Sequence, residues 1–204
     1  MVAVIALILV AVMACYYLIR KPDGNLSARQ KAGLKVIPTS LCALLALYGT
    51  LRGGGLSAGF LCMGLVVCAL ADWLLEFAFF KGMAAFALGH VLYCIGYLLA
   101  GPFMIRSVIV FAVLFGIICV IYSKLKDHLE NAPMYLAYAA VLCCMASLAA
   151  SRQSFLMIGG FLFVISDCMI GIGQATGKDS RLYGILILAT YYAAQFLIAL
   201  STLS

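Results

Sequence analysis

Charge is scarce in this chain. Of its 204 residues only 10% are Asp, Glu, Lys or Arg, where a soluble domain carries roughly a quarter. Such a sequence cannot wet the surface of a water-soluble globule, and that class is excluded. Proline occurs four times and tryptophan once, so long apolar runs pass with few of the residues that most often break a helix. Nine cysteines are present (Cys15, Cys42, Cys62, Cys68, Cys94, Cys119, Cys143, Cys144 and Cys168), yet none forms a CxxC pair. Zinc and disulfide frameworks therefore lack support, and cysteines inside apolar runs read as small buried hydrophobes.

What fills the chain is hydrocarbon: 67% of residues are hydrophobic and the mean hydropathy is +1.18. A helix crossing the bilayer needs ~20 mostly apolar residues. Apolar runs broken by charge, glycine or proline fall near residues 2–19, 33–51, 56–80, 83–100, 105–123, 133–150, 154–174 and 183–203. They predict an all-α polytopic membrane protein, a single transmembrane domain over 1–204 with about eight spans. The connections are short, so consecutive helices should pack antiparallel. The first run has no basic residue ahead of it and is followed by Arg20 and Lys21, the layout of a retained helix rather than a cleaved leader.

The net charge of +6 is explained by topology. Loops one, three, five and seven carry Arg20, Lys21, Arg29, Lys31, Lys81, Lys124, Lys126, Lys178 and Arg181, whereas the even loops carry only Arg52, Arg106 and Arg152. The positive-inside rule then puts the odd loops in the cytoplasm and both termini on the non-cytoplasmic side. No nucleic-acid partner is implied. A shift of 95 residues also superposes Lys31 on Lys126, Pro38 on Pro133, Gly64 on Gly159 and Asp72 on Asp167. Four helices per half make this a 4+4 parallel repeat, since an even number restores the orientation.

Ionisable groups within a span cost about 2.5–3.5 kcal/mol each on the insertion scale, so they are candidates for function. Here they are Lys35, Asp72, Glu76, His90 and Asp167, with Tyr93, Tyr191, Tyr192 and Gln195 as polar companions. Asp72 and Asp167 each lie about eight residues before the end of their segments, and His90 and Tyr191 about as far after the start of theirs. At 1.5 Å per residue all four sit ~12 Å below one surface. His90 with Tyr93, and Tyr192 with Gln195, are three apart and share helix faces. One site built from both halves follows. The competing reading is structural, with each group locking helices through hydrogen bonds. Glu76 reads as a helix-end carboxylate near Lys81, and Lys35 either snorkels to the interface or holds a lipid phosphate.

At these residues the sequence resembles the YhhN-like lysoplasmalogenase family. Ala71-Asp72-Trp73-Leu74-Leu75, then Phe86 and Gly89-His90-Val91-Leu92-Tyr93, is similar to its "GD-x-L-L … F-x-x-G-H-x-x-Y" signature. Gly159, Phe163, Ser166 and Asp167 match "G-x-x-x-F-x-x-S-D", and Thr190-Tyr191-Tyr192 with Gln195 matches "T-Y-Y-x-x-Q". Ala71 stands where the family has Gly, and Lys35 and Pro38 are not adjacent as in its "K-P" pair.

The resemblance implies a hydrolase that cleaves the vinyl ether of a lysoplasmalogen to a fatty aldehyde and a glycerophospho-alcohol. That reaction needs an acid to protonate the β-carbon and a carboxylate to orient water. Two aspartates in a low-dielectric pocket divide these roles, since desolvation and mutual repulsion disfavour ionising both. Asp72, Asp167, His90 and Tyr93 are then expected as catalytic residues, and Lys35, Tyr191, Tyr192 and Gln195 as substrate-binding ones. No cofactor or metal is expected, and the partners are a lysophospholipid and bilayer lipids. A proton-coupled carrier would use the same buried cluster. A di-metal carboxylate centre has too few ligands.

Overall fold

The computed structural model describes residues 26–203; the expected span at 2–19 lies outside them. Among the described residues seven α-helices follow in order: α1 (Ala28–Gly49), α2 (Gly55–Leu75), α3 (Phe79–Leu99), α4 (Ile105–Leu125), α5 (Ala132–Ala149), α6 (Ser154–Thr176) and α7 (Arg181–Leu200). The chain is a polytopic helical membrane protein. Six continuous helical runs are long and apolar enough to cross a bilayer, the first being Ala28–Leu75 with 48 residues. Against the expected eight or so, the described residues hold these six runs: one expected span lies outside them, and the first run joins two helices, α1 and α2, across a kink at Thr50–Gly54. Glycine makes that corner: Gly53 and Gly55 have φ of 110° and 66°, values that side chains with a Cβ rarely adopt.

Local chemistry sets the other ends. Ser27 and Gln30 form a capping box at the start of α1, Ser180 caps α7 through the Tyr183 amide, and Pro133 opens α5 where its missing N–H costs nothing. Gly177, at φ 66°, closes α6. The third expected segment was to run to residue 80, but α2 ends at Leu75 and α3 begins at Phe79. Phe77–Ala78–Phe79–Phe80 is apolar throughout, so hydropathy cannot see the turn. The extended backbone of Ala78 (φ −153°, ψ 94°) makes it.

The packing is a ring. α1 packs on α2, α2 on α3, α3 on α5, α5 on α6, α6 on α7, and α7 returns to α1. Exchanging the halves (α1 with α5, α2 with α6, α3 with α7) maps this list onto itself, which is the arrangement the 95-residue repeat predicts. α4 stands outside the ring against α5, and Ser107 is its one buried residue. Since lipid solvates apolar side chains as well as a neighbouring helix does, close backbone approach through small residues drives such contacts. The α2–α3 interface shows it. A Cβ on Gly64 would come within 2.4 Å of the Tyr93 ring, and one on Gly89 within 2.8 Å of Cys68 Sγ.

At the end of the bundle away from the aspartates, two of the even-loop cations tie loops together. Arg152 donates to the carbonyls of Gly101 (2.8 Å) and Pro102 (3.1 Å), and Arg106 to Ser151 Oγ (3.1 Å). Burial and the neighbouring Arg106 lower the Arg152 pKa.

Candidate active site

Each aspartate is held by two helices other than its own. Asp72 on α2 is buried, 5% exposed, and its Oδ2 accepts from Thr39 Oγ1 of α1 (2.7 Å) and from the Tyr191 hydroxyl of α7 (2.8 Å). Asp167 on α6 accepts at Oδ2 from the Tyr138 hydroxyl of α5, and His90 Nε2 of α3 lies 3.7 Å away. α1 corresponds to α5 and α7 to α3 under the exchange of halves, so the two carboxylates have equivalent supports. Among the described residues no hydrogen bond engages Oδ1 of either, leaving one carboxylate oxygen per aspartate for a ligand.

Behind each carboxylate a tyrosine relays a longer chain. Tyr93 donates to Gln195 Oε1 (2.8 Å), Gln195 Nε2 donates to the Tyr191 oxygen (3.0 Å), and Tyr191 donates to Asp72. On the other side Tyr138 spends its proton on Asp167. Its oxygen therefore accepts from His90 Nε2 at 3.0 Å, which places the hydrogen on that nitrogen. His90 Nδ1 is buried and has no hydrogen-bond partner among the described residues. The His90 ring packs edge-on to Phe163 at 4.6 Å, and Phe163 in turn against Tyr191 at 5.4 Å. The two carboxylate systems thus share one aromatic wall.

Asp72 and Asp167 border a common cavity of about 100 Å³, with Lys35, Tyr138 and Tyr191 also in its lining. The rest of the wall is chiefly apolar, including Leu75, Met83, Phe86, Ile170 and Leu188. Of the expected residues, Asp72, Asp167, Lys35 and Tyr191 line this space. His90, Tyr93 and Gln195 do not; they are fully buried behind it. Tyr192 turns away and donates to the Lys35 carbonyl at 3.1 Å. Lys35 itself pairs with Glu76, so the expected neighbour of Glu76, Lys81, is corrected.

Tyr138 and Thr39 escaped the sequence reading. Tyr138 lies in an apolar run beside Tyr135 and passes for an interface aromatic, and a lone threonine is unremarkable in a membrane helix. The repeat held the clue. Pro38 and Thr39 correspond to Pro133 and Met134, and Tyr138 lies one helical turn beyond Met134. Among the described residues no group of three or more His, Cys, Asp or Glu is placed to hold a metal ion.

The protein is thus a helical membrane protein in which two carboxylates, Asp72 buried and Asp167 partly so, each accept from a tyrosine beside one apolar cavity. Residues 30–202 match the YhhN family, and the chain belongs to that family. It is similar to the lysoplasmalogenase of Mycobacterium tuberculosis, at 29% identity over 195 residues, with 88% of this chain and 74% of that protein covered. It is also similar to lysoplasmalogenase TMEM86B of Sus scrofa, at 31% identity, covering 92% and 81%. Lysoplasmalogenase TMEM86A of Bos taurus is 34% identical over 158 residues, with 68% and 63% covered. No solved structure gives a significant match.

Proposed function

We propose that this chain hydrolyses the vinyl ether of lysoplasmalogens, with Asp72 and Asp167 as the acid–base pair. The observation that carries the reading is the placing of both carboxyls on one apolar cavity, each with an oxygen free of hydrogen bonds from the described residues. The names of the three relatives agree with it, and they do not favour the carrier reading.

One aspartic acid delivers its proton to the β-carbon of the vinyl ether, and the double-bond electrons form the new C–H bond. The α-carbon becomes an oxocarbenium ion, which the carboxylate now formed and the second one stabilise at short range. Water adds to that carbon and gives its proton to a carboxylate, restoring the pair. The hemiacetal then loses the glyceryl oxygen, its hydroxyl proton passing to the leaving alkoxide, and aldehyde and alcohol result. Tyr191 and Tyr138 hold the two carboxyls in place, and the Gln195–Tyr93 pair and His90 hold those tyrosines. Lys35, at the α1 side of the cavity, takes the phosphate of the head group. In this geometry the scissile group lies near the odd-loop surface, the cytoplasmic one by charge, where a one-chain lipid enters from its leaflet.

The test is aldehyde release by the purified protein from lysoplasmenyl-ethanolamine and -choline, read by coupled NADH oxidation with added alcohol dehydrogenase. An ester lysolipid serves as control. Aldehyde from the vinyl ether with no hydrolysis of the ester is expected; no aldehyde from either head group would reject the reading.

A further inference from the structure

Tyr138 and Asp167 border a second space as well. A groove of about 80 Å³ lies between α4 and the α5–α6 pair, with Ile118, Ile121 and Leu125 of α4 on its outer side. Four residues line both the groove and the aspartate cavity: Tyr135 and Tyr138 of α5, and Asp167 and Gly171 of α6. Spaced three and four apart, each pair occupies one helix face, and together they form the seam where α5 meets α6. The seam is open at Gly171. A Cβ built there meets no atom within 4 Å, whereas the same test at Gly160 of the same helix finds Ala149 at 2.9 Å. Nothing in the α6 backbone demands glycine at this position, since it lies within the regular helix Ser154–Thr176. The space beyond it is apolar, and α4 is otherwise turned to lipid.

We propose that the groove beneath α4 is a binding site for a single alkyl chain, reached across the Gly171 gap, and that Gly171 sets which chain lengths the enzyme accepts. This rests on the vinyl-ether reading above. In the ring, the α1–α2 pair with Lys35 and Asp72 stands opposite the α5–α6 pair. A lipid with its phosphate at Lys35 and its vinyl ether between the carboxyls therefore points its chain at the seam. The bilayer solvates that chain as well as the groove does, so the groove contributes alignment of the reacting carbon more than affinity.

Two measurements on the full chain in detergent test this. In the first, kcat/KM is compared for octenyl and hexadecenyl lysoplasmenyl-ethanolamine with the wild type, Gly171→Leu and Ile121→Trp. Both variants are expected to lower the long-chain to short-chain ratio about tenfold; an unchanged ratio in both overturns the proposal. In the second, a saturated 1-alkyl lysolipid with a terminal diazirine is photolysed on the wild type and the labelled residues are mapped. Label on Ile118, Ile121 or Leu125 supports the groove, and label confined to Met83, Phe86 and Ile187 overturns it. The second measurement needs no turnover. A wild type that labels on α4 yet releases no aldehyde would sink the proposed reaction and leave the chain site standing.

Discussion

Tyr93 of α3 and Gln195 of α7, 102 residues apart, meet through a hydrogen bond of 2.8 Å that borders no substrate space yet fixes one that does. Gln195 can present its amide to Tyr191 only while its carbonyl oxygen is held by Tyr93, and Tyr191 in turn holds Asp72. Tyr93→Phe leaves that buried oxygen without a donor, at a cost of about 1–3 kcal/mol. The expected result is a lower melting temperature and a kcat reduced about tenfold to a hundredfold, with KM little changed, because a positioning residue has been lost. Gly64→Ala, whose Cβ would press on the Tyr93 ring, should give the same pattern. In a double-mutant cycle the two losses should fail to add. Wild-type melting and turnover for Tyr93→Phe would remove this relay from the mechanism.

The Lys35–Glu76 pair separates binding from chemistry. Both partners are partly exposed, 23% and 17%, so the bond exchanges readily with water or phosphate. Lys35→Ala should raise KM about tenfold while kcat stays within a few-fold, the signature of lost uniform binding. Glu76→Gln frees the ammonium of its internal counter-ion, and KM should then fall or hold. Steady-state kinetics in mixed micelles at fixed surface concentration will show which constant moves. A loss confined to kcat in Lys35→Ala would place the lysine in the chemistry instead.

Scarcity decided what the sequence could reveal. Asp72, Asp167 and His90 stood out because an ionisable group in a span needs a reason to be there. Their expected common depth points to one site, although α2 ends at Leu75, only three residues past Asp72, while Asp167 lies nine residues before the end of α6. Depth says nothing of direction around a helix axis, however. That is why His90, Tyr93 and Gln195 were expected in the cavity wall and are found behind it. Thr39 and Tyr138 carry no charge and cost a span little, so they left no mark in composition, although they touch the carboxylates directly. The α2–α3 turn was hidden for the opposite reason, because Phe77–Ala78–Phe79–Phe80 is too apolar to register as a break. The ring order was partly legible, since the repeat relates each half's contacts to the other's. The place of α4 outside the ring was not, because its apolar residues fit lipid and protein equally well.

The charge bias makes an independent prediction about orientation. Cysteine or reporter insertions into the 124–130 loop and near Lys178 should score as cytoplasmic, and insertions near Arg52 and Arg152 as external. The aspartates would then be reached from the inner leaflet. In oriented vesicles, lipid supplied to that side should be hydrolysed before lipid on the other. Protease access to the 124–130 loop from outside intact cells would invert both statements.

The carboxylates themselves give the most direct test. Asn in place of Asp keeps the shape and still accepts the hydrogen bonds of Thr39 and Tyr191, or of Tyr138, but it can neither deliver nor hold a proton. Asp72→Asn and Asp167→Asn are therefore expected to fold and bind as the wild type does. Each should lose turnover by a factor of about a hundred or more, the scale on which a positioned proton donor contributes. The loss should fall on kcat, because both groups act on the transition state rather than on the bound lipid. Proton transfer to carbon is the slow chemical event in this scheme, so the wild type should also run slower in deuterium oxide, with kcat lower and KM little altered. If the Asp72→Asn, Asp167→Asn double variant hydrolyses lysoplasmenyl lipid at the wild-type rate, the carboxylate pair is not the acid–base centre. The isotope effect alone discriminates less, since a slow product release would mask it. A pre-steady-state burst of aldehyde in the wild type identifies that case, and in the burst phase the isotope effect should reappear.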